Sequence, residues 1–145
     1  MKWYCFLYHG VSFGEDLSLK GIGGTITPYL FEQHVSLLSE FGDIVTPTRA
    51  MELMENNSSS NDRKRIVSIV FDDGFKSVYS NAYPILKAAS VPCGIGVCSD
   101  FYMRRDILYR MKLSYIHFND GDKYLRSRLS KLLDKKIESL KEIGR

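Results

Sequence analysis

Ile66-Val67-Ser68-Ile69-Val70-Phe71-Asp72-Asp73-Gly74 passes from a β-branched apolar run straight into two adjacent carboxylates and a glycine. A run of this length and composition reads as a buried strand of a parallel sheet. Carboxylates at the C-terminal end of such a strand stand where α/β folds place their chemistry. Successive strand residues point to opposite sides, so Asp72 and Asp73 can take different partners. Gly74 permits a tight exit into a following helix. A helix cap uses one aspartate, so a pair after a wholly apolar strand points beyond capping.

Upstream of this stretch, residues 56–65 are polar and rich in Asn and Ser, which reads as a mobile surface loop. Before it, Thr48 is expected to cap a brief helix through Met51, Leu53 and Met54, and Ile44-Val45 a short strand. Thr27-Pro28 marks a helix start, with Thr at the cap and Pro in the first turn. Leu30, Phe31, His34, Val35, Leu37, Leu38 and Phe41 then recur at helical spacing up to Gly42. Residues 13–26 are Gly-rich and without period, so they read as a loop. Trp3 to Tyr8 is a first strand, ending at His9-Gly10-Val11-Ser12.

Downstream, residues 75–90 read as helix with a break at Pro84, which cannot donate to the helical ladder. Val91 to Cys98 reads as a further strand. Residues 104–118 and the basic run from Tyr124 to Ile143 read as helices, with a turn at residues 119–122. Strands alternating with helices predict an α/β fold with about four parallel strands, followed by a C-terminal helical segment.

Charge is unevenly placed. Residues 1–100 hold eight Lys and Arg against eleven Asp and Glu, whereas residues 101–145 hold twelve against six. Acidic residues are interspersed through the basic tail and no recognition motif accompanies it, so a solvated helical face is expected and nucleic acid is not. Cys5, Cys93 and Cys98 have no ligand spacing and suggest neither a disulfide framework nor a zinc finger. The apolar run after Lys2 is too short for a leader, and no stretch approaches a membrane span. A cytoplasmic chain with no membrane partner is expected.

Tyr8-His9-Gly10-Val11-Ser12, Thr27-Pro28 with Phe31-Glu32, and Val70-Phe71-Asp72-Asp73-Gly74-Phe75 together resemble the N-terminal half of the polysaccharide deacetylases. These are the NodB-homology enzymes of carbohydrate esterase family four. Tyr83-Pro84-Ile85-Leu86 and Val91-Pro92 fit the same pattern, and Arg104 to Tyr109 resembles an insert of some members. The resemblance covers roughly residues 3–118. It implies a distorted (β/α) barrel, here partial, with residues 1–103 as the N-terminal part of the domain and 104–145 as a helical insert or tail. It implies a hydrolase that removes N- or O-acetyl groups from a polysaccharide or oligosaccharide with a divalent metal, usually zinc. Carried over, Asp72 would be the general base, Asp73 a metal ligand and His9 the general acid.

Those roles suit amide hydrolysis, which needs an activated water, a stabilised oxyanion and a protonated leaving amine. His34 and His117 lie within helical apolar patterns and are expected to be structural. The family's His-Ser/Thr-x-x-His motif, which supplies two metal ligands, is absent: the histidines are His9, His34 and His117. The later Arg-containing and Pro-Tyr motifs are absent too. The expectation is a truncated deacetylase, inactive alone, whose partners are acetylated saccharide and a complementary C-terminal half or a second copy. The alternative is a non-catalytic carbohydrate-binding or protein-interaction module derived from a deacetylase.

Overall fold

The computed structural model describes residues 1–14, 20, 25–56, 64–103, 105–106 and 108–132. The chain divides into two units, one of Met1–Phe13 with Gly23–Asp106 and one of Gly14–Ile22 with Ile107–Arg145.

The first unit is built on β5 (Arg65–Phe71), which pairs in parallel with β1 (Lys2–Tyr8) over its whole length, from Lys2↔Arg65 to Tyr8↔Phe71. Its other edge is shared by two short strands. β4 (Asp43–Ile44) pairs with Ile66 and Val67, and β6 (Gly94–Ile95) with Val70 and Phe71. A second small parallel pair joins β2 (Gly10–Val11) to β3 (Thr25–Ile26). The α/β class and the four parallel strands are as expected. Among the described residues the sheet is open rather than closed into a barrel.

Along β5, Ile66, Val67, Ser68, Ile69 and Phe71 are fully buried. One face meets α1 (Pro28–Phe41), whose Phe31, Val35 and Leu38 are buried at intervals of four and three. Rings lock this contact, with Phe31 5.6 Å from Phe71 and 5.2 Å from Tyr8, centroid to centroid. Burying a side chain such as Phe71 stabilises by about 1.5–3 kcal/mol. Polar Ser68 is tolerated in the core because it is bonded twice. It accepts from Trp3 Nε1 at 3.1 Å and donates to the Val45 carbonyl at 2.9 Å, so it ties β1 to the chain beyond β4.

Helix starts follow Thr-Pro steps. Thr27 Oγ1 accepts from the Leu30 N–H at the head of α1. In α2 (Pro47–Glu55) the cap is Thr46, which accepts from the Arg49 N–H, and not Thr48. Pro47 fixes the first helical φ and so sets the start two residues earlier than expected. After α1 the chain turns at Gly42, where a Cβ would lie 2.6 Å from the Arg65 carbonyl oxygen. Only a residue without a side chain lets the α1 end approach β5 this closely.

Pro84 does break the helix, in a specific way. Residues Val78–Ala82 form a π-helical turn before α3 (Tyr83–Ala88), and the Tyr83 N–H bonds to the Val78 carbonyl five residues back. Proline cannot donate to the carbonyl four residues back, and its ring clashes there, so the turn widens.

Three further expectations are corrected. The strand of residues 91–98 shrinks to Gly94–Ile95, because Pro92 lacks a donor and glycine, at Gly94 and just after the pair at Gly96, is a weak strand residue. The loop of residues 13–26 ends in strand β3. The helix expected over 104–118 begins only at Tyr109, as α5 (Tyr109–Asp120), and a short unexpected helix, α4 (Ser99–Tyr102), lies before the expected start. In the second unit α5 packs with α6 (Asp122–Leu132), the chain turning between them at Gly121 with φ +77°. The expected loop over 57–63 and helix beyond residue 132 lie outside the described residues. No described helix is long and apolar enough to cross a membrane.

Candidate active site

The residue pairing of β1 with β5 sets the geometry. Tyr8 lies opposite Phe71, so His9 and Asp72 are the next residues out of two adjacent parallel strands. The ladder extends one bond further, with the Asp72 N–H donating to the Tyr8 carbonyl at 3.0 Å. His9, Asp72 and Asp73 are all half-buried at this rim. His9 and the Asp72-Asp73 pair thus leave neighbouring strand ends on the same side of the sheet.

Asp73 sits in a strained conformation. Its φ is +69°, and the Gly74 N–H bonds back to the Asp72 carbonyl at 2.9 Å, which closes a γ-turn around Asp73. Non-glycine residues rarely occupy this region, and aspartate is among those that tolerate it. Such strain is typical of functional positions. Gly74 follows at φ +70°, so two consecutive left-handed residues swing the chain off the strand end.

Beneath Asp72 runs the chain after β6. The Gly96 N–H donates to the Phe71 carbonyl at 2.7 Å, and a Cβ on Gly96 would stand 3.4 Å from Asp72 Oδ1. Gly96 thus leaves room for the carboxylate. Its place was hidden in the sequence, because nothing there distinguishes it from Gly94.

His9 Nδ1 is buried with no hydrogen-bond partner among the described residues. His34, by contrast, lies 3.0 Å from the Tyr8 hydroxyl through its Nδ1, as suits a structural histidine. Burial pushes the Tyr8 phenol above its ordinary value. Sequence reasoning missed Asn81, which bonds to the Val11 carbonyl at 2.7 Å. The available signal was an asparagine in a helix, where it is disfavoured, three residues before a proline.

The implied divalent metal does not fit the residues present. Asp73 would supply one ligand, and a catalytic zinc site takes three from the protein. Among the described residues no group of three or more His, Cys, Asp or Glu comes together to hold an ion.

Comparison with solved structures decides the class of the fold. IcaB from Ammonifex degensii is 28% identical, with a TM-score of 0.53 over 66% of this chain and 37% of that one. A de-N-acetylase from Aggregatibacter actinomycetemcomitans is 29% identical, with a TM-score of 0.53 over 68% of this chain and 38% of that one. This chain has a deacetylase-like fold. The Streptococcus pyogenes deacetylase PplD, solved with acetate, shares that fold at 17% identity, with a TM-score of 0.59 over 94% of this chain and 71% of that one. The chain spans less than two-fifths of the length of the first two. No family model and no curated protein matches it.

Proposed function

We propose that this deacetylase-like chain carries the base-and-acid part of a centre that hydrolyses acetyl groups from a polysaccharide or oligosaccharide, and that it does not turn over alone. The observation that carries the reading is the placement of His9 and Asp72 at the ends of paired strands, beside a strained Asp73. In this reading the Asp72 carboxylate takes a proton from the attacking water, and His9 returns one to the leaving amine or alcohol. Asp73 alone cannot hold a catalytic ion, which takes three protein ligands. The remaining groups that such a centre needs are not among His9, Asp72 and Asp73. The native substrate is assigned by class only, as an acetylated saccharide.

Titrating ¹⁵N-labelled chain with N-acetylglucosamine oligomers tests the substrate class. Amide shifts are expected to cluster at residues 8–12 and 71–75 and to disappear in Asp72→Ala. Binding that survives both Asp72→Ala and Asp73→Ala favours a non-catalytic carbohydrate module instead. Calorimetry with Zn²⁺ is expected to show no tight binding. Metal-dependent acetate release by the purified chain overturns the inactive reading.

A further inference from the structure

We propose that Asn81 is a positioning residue for His9, holding the backbone that carries its imidazole. The inference rests on the acid role proposed above for His9. Two bonds fix the chain on either side of that residue. Before it, the Tyr8 carbonyl accepts the Asp72 N–H at 3.0 Å. After it, the Val11 carbonyl accepts an N–H of the Asn81 side-chain amide at 2.7 Å. Val11 is itself fully buried, and Gly10–Val11 is paired with Thr25–Ile26. The ring has no comparable hold at Nδ1, which is buried and without a partner among the described residues. A histidine ring is ordinarily oriented by the hydrogen bond at its second nitrogen. With Nδ1 unbonded, the direction of the His9 ring follows from its rotamer and its backbone, and the backbone is what Asn81 clamps.

The clamp depends on how Asn81 is presented. It lies inside the π-helical turn Val78–Ala82, which Pro84 imposes. A π-turn holds one residue more than an α-turn, so it changes the direction of the side chains within it. Asparagine in a helix ordinarily competes for nearby backbone groups. This one instead reaches a carbonyl 70 residues away in sequence. Pro84 thereby acts on His9 at second hand, through the turn and Asn81.

A merely structural role, in which Asn81 satisfies a buried carbonyl, would lower stability and leave the ring of His9 as it was. Long-range ¹H–¹⁵N imidazole spectra across a pH titration separate the two. His34, bonded to Tyr8, and His117 serve as internal references. In Asn81→Ala and in the neutral, near-isosteric Asn81→Leu, the ring resonances and titration midpoint of His9 are expected to move while those of His34 and His117 stay. Asn81→Gln, which keeps the donor, is expected to restore them in part. Pro84→Ala supplies an N–H for the Ser80 carbonyl and draws the turn towards an α-helix, and it is expected to shift His9 in the same way. It also keeps the test open should Asn81→Ala fail to fold. Unchanged His9 resonances and midpoint in folded Asn81→Leu overturn the proposal. None of these spectra requires turnover. They can therefore fail while saccharide binding succeeds, or succeed while it fails.

Discussion

β1 and β5 are both seven residues long and are paired residue for residue, yet they have opposite fates. β5 is covered on both edges and buries five side chains completely. β1 pairs on one edge only among the described residues, and leaves Phe6 36% and Leu7 53% exposed. Their sequences, KWYCFLY and RIVSIVF, are equally apolar to the eye. Burial here is decided by position in the sheet and not by composition. The open edge of β1 borders a groove of about 380 Å³, lined by Phe6, Leu7, Tyr8, His34, Leu37 and Leu38. Long apolar edges of this kind are usually blunted by charge, proline or a covering element. Beyond Lys2, β1 has no charge or proline.

The sharpest way to break this comparison is to truncate one phenylalanine on each strand. Phe71→Ala removes a ring packed against Phe31 and Tyr8, and is expected to cost about 3–5 kcal/mol in denaturant unfolding. Phe6→Ala is expected to cost about 1 kcal/mol or less, because the ring is partly in water already. Equal losses would mean that β1 is covered in solution. A smaller effect tests the register pair Cys5↔Ser68. Ser68→Ala leaves the Trp3 indole N–H without its acceptor and should cost about 1–3 kcal/mol, with a change in Trp3 fluorescence. Exposed Cys5→Ala should stay within about 0.5 kcal/mol of the parent.

The smallest effect is kinetic. Burial pushes the Cys93 thiol above its ordinary value, so less of it is thiolate at a given pH. Near pH 8, alkylation is expected to label exposed Cys5 before Cys93, and the gap should narrow as rising pH ionises Cys93. Mass spectrometry of the timed reaction reads the order. Cys93 labelling first would show that β1 is better protected than the chain entering β6.

Much of this arrangement was legible in the residues. The β5 run, the Thr27-Pro28 start of α1 and the stop at Gly42 are local signals that the packing then reinforced. The rim was legible as well, because strand ends in a parallel sheet point one way and His9, Asp72 and Asp73 each follow an apolar run. Several features depended on distant contacts and were not. Residues 91–98 looked like a full strand, but Pro92 and the glycines at 94 and 96 leave only Gly94–Ile95 to pair. Thr46 and Thr48 differ little as letters, and Pro47 decided between them. The clamp from Asn81 to Val11 joins positions whose proximity exists only once the sheet has formed.

The register of β1 on β5 also has a consequence for the order of events during synthesis. Cys5 pairs with Ser68, and every other pair has the same spacing along the chain. At about 5–20 residues per second, β1 therefore leaves the ribosome several seconds before its partner strand has been made. During that interval Trp3, Tyr4, Phe6 and Leu7 have no strand to lie against, and His9 has no carboxylate opposite it. The rim of the candidate site and the centre of the sheet come into existence in a single docking step, and the nascent chain has to keep its first strand from other partners until then.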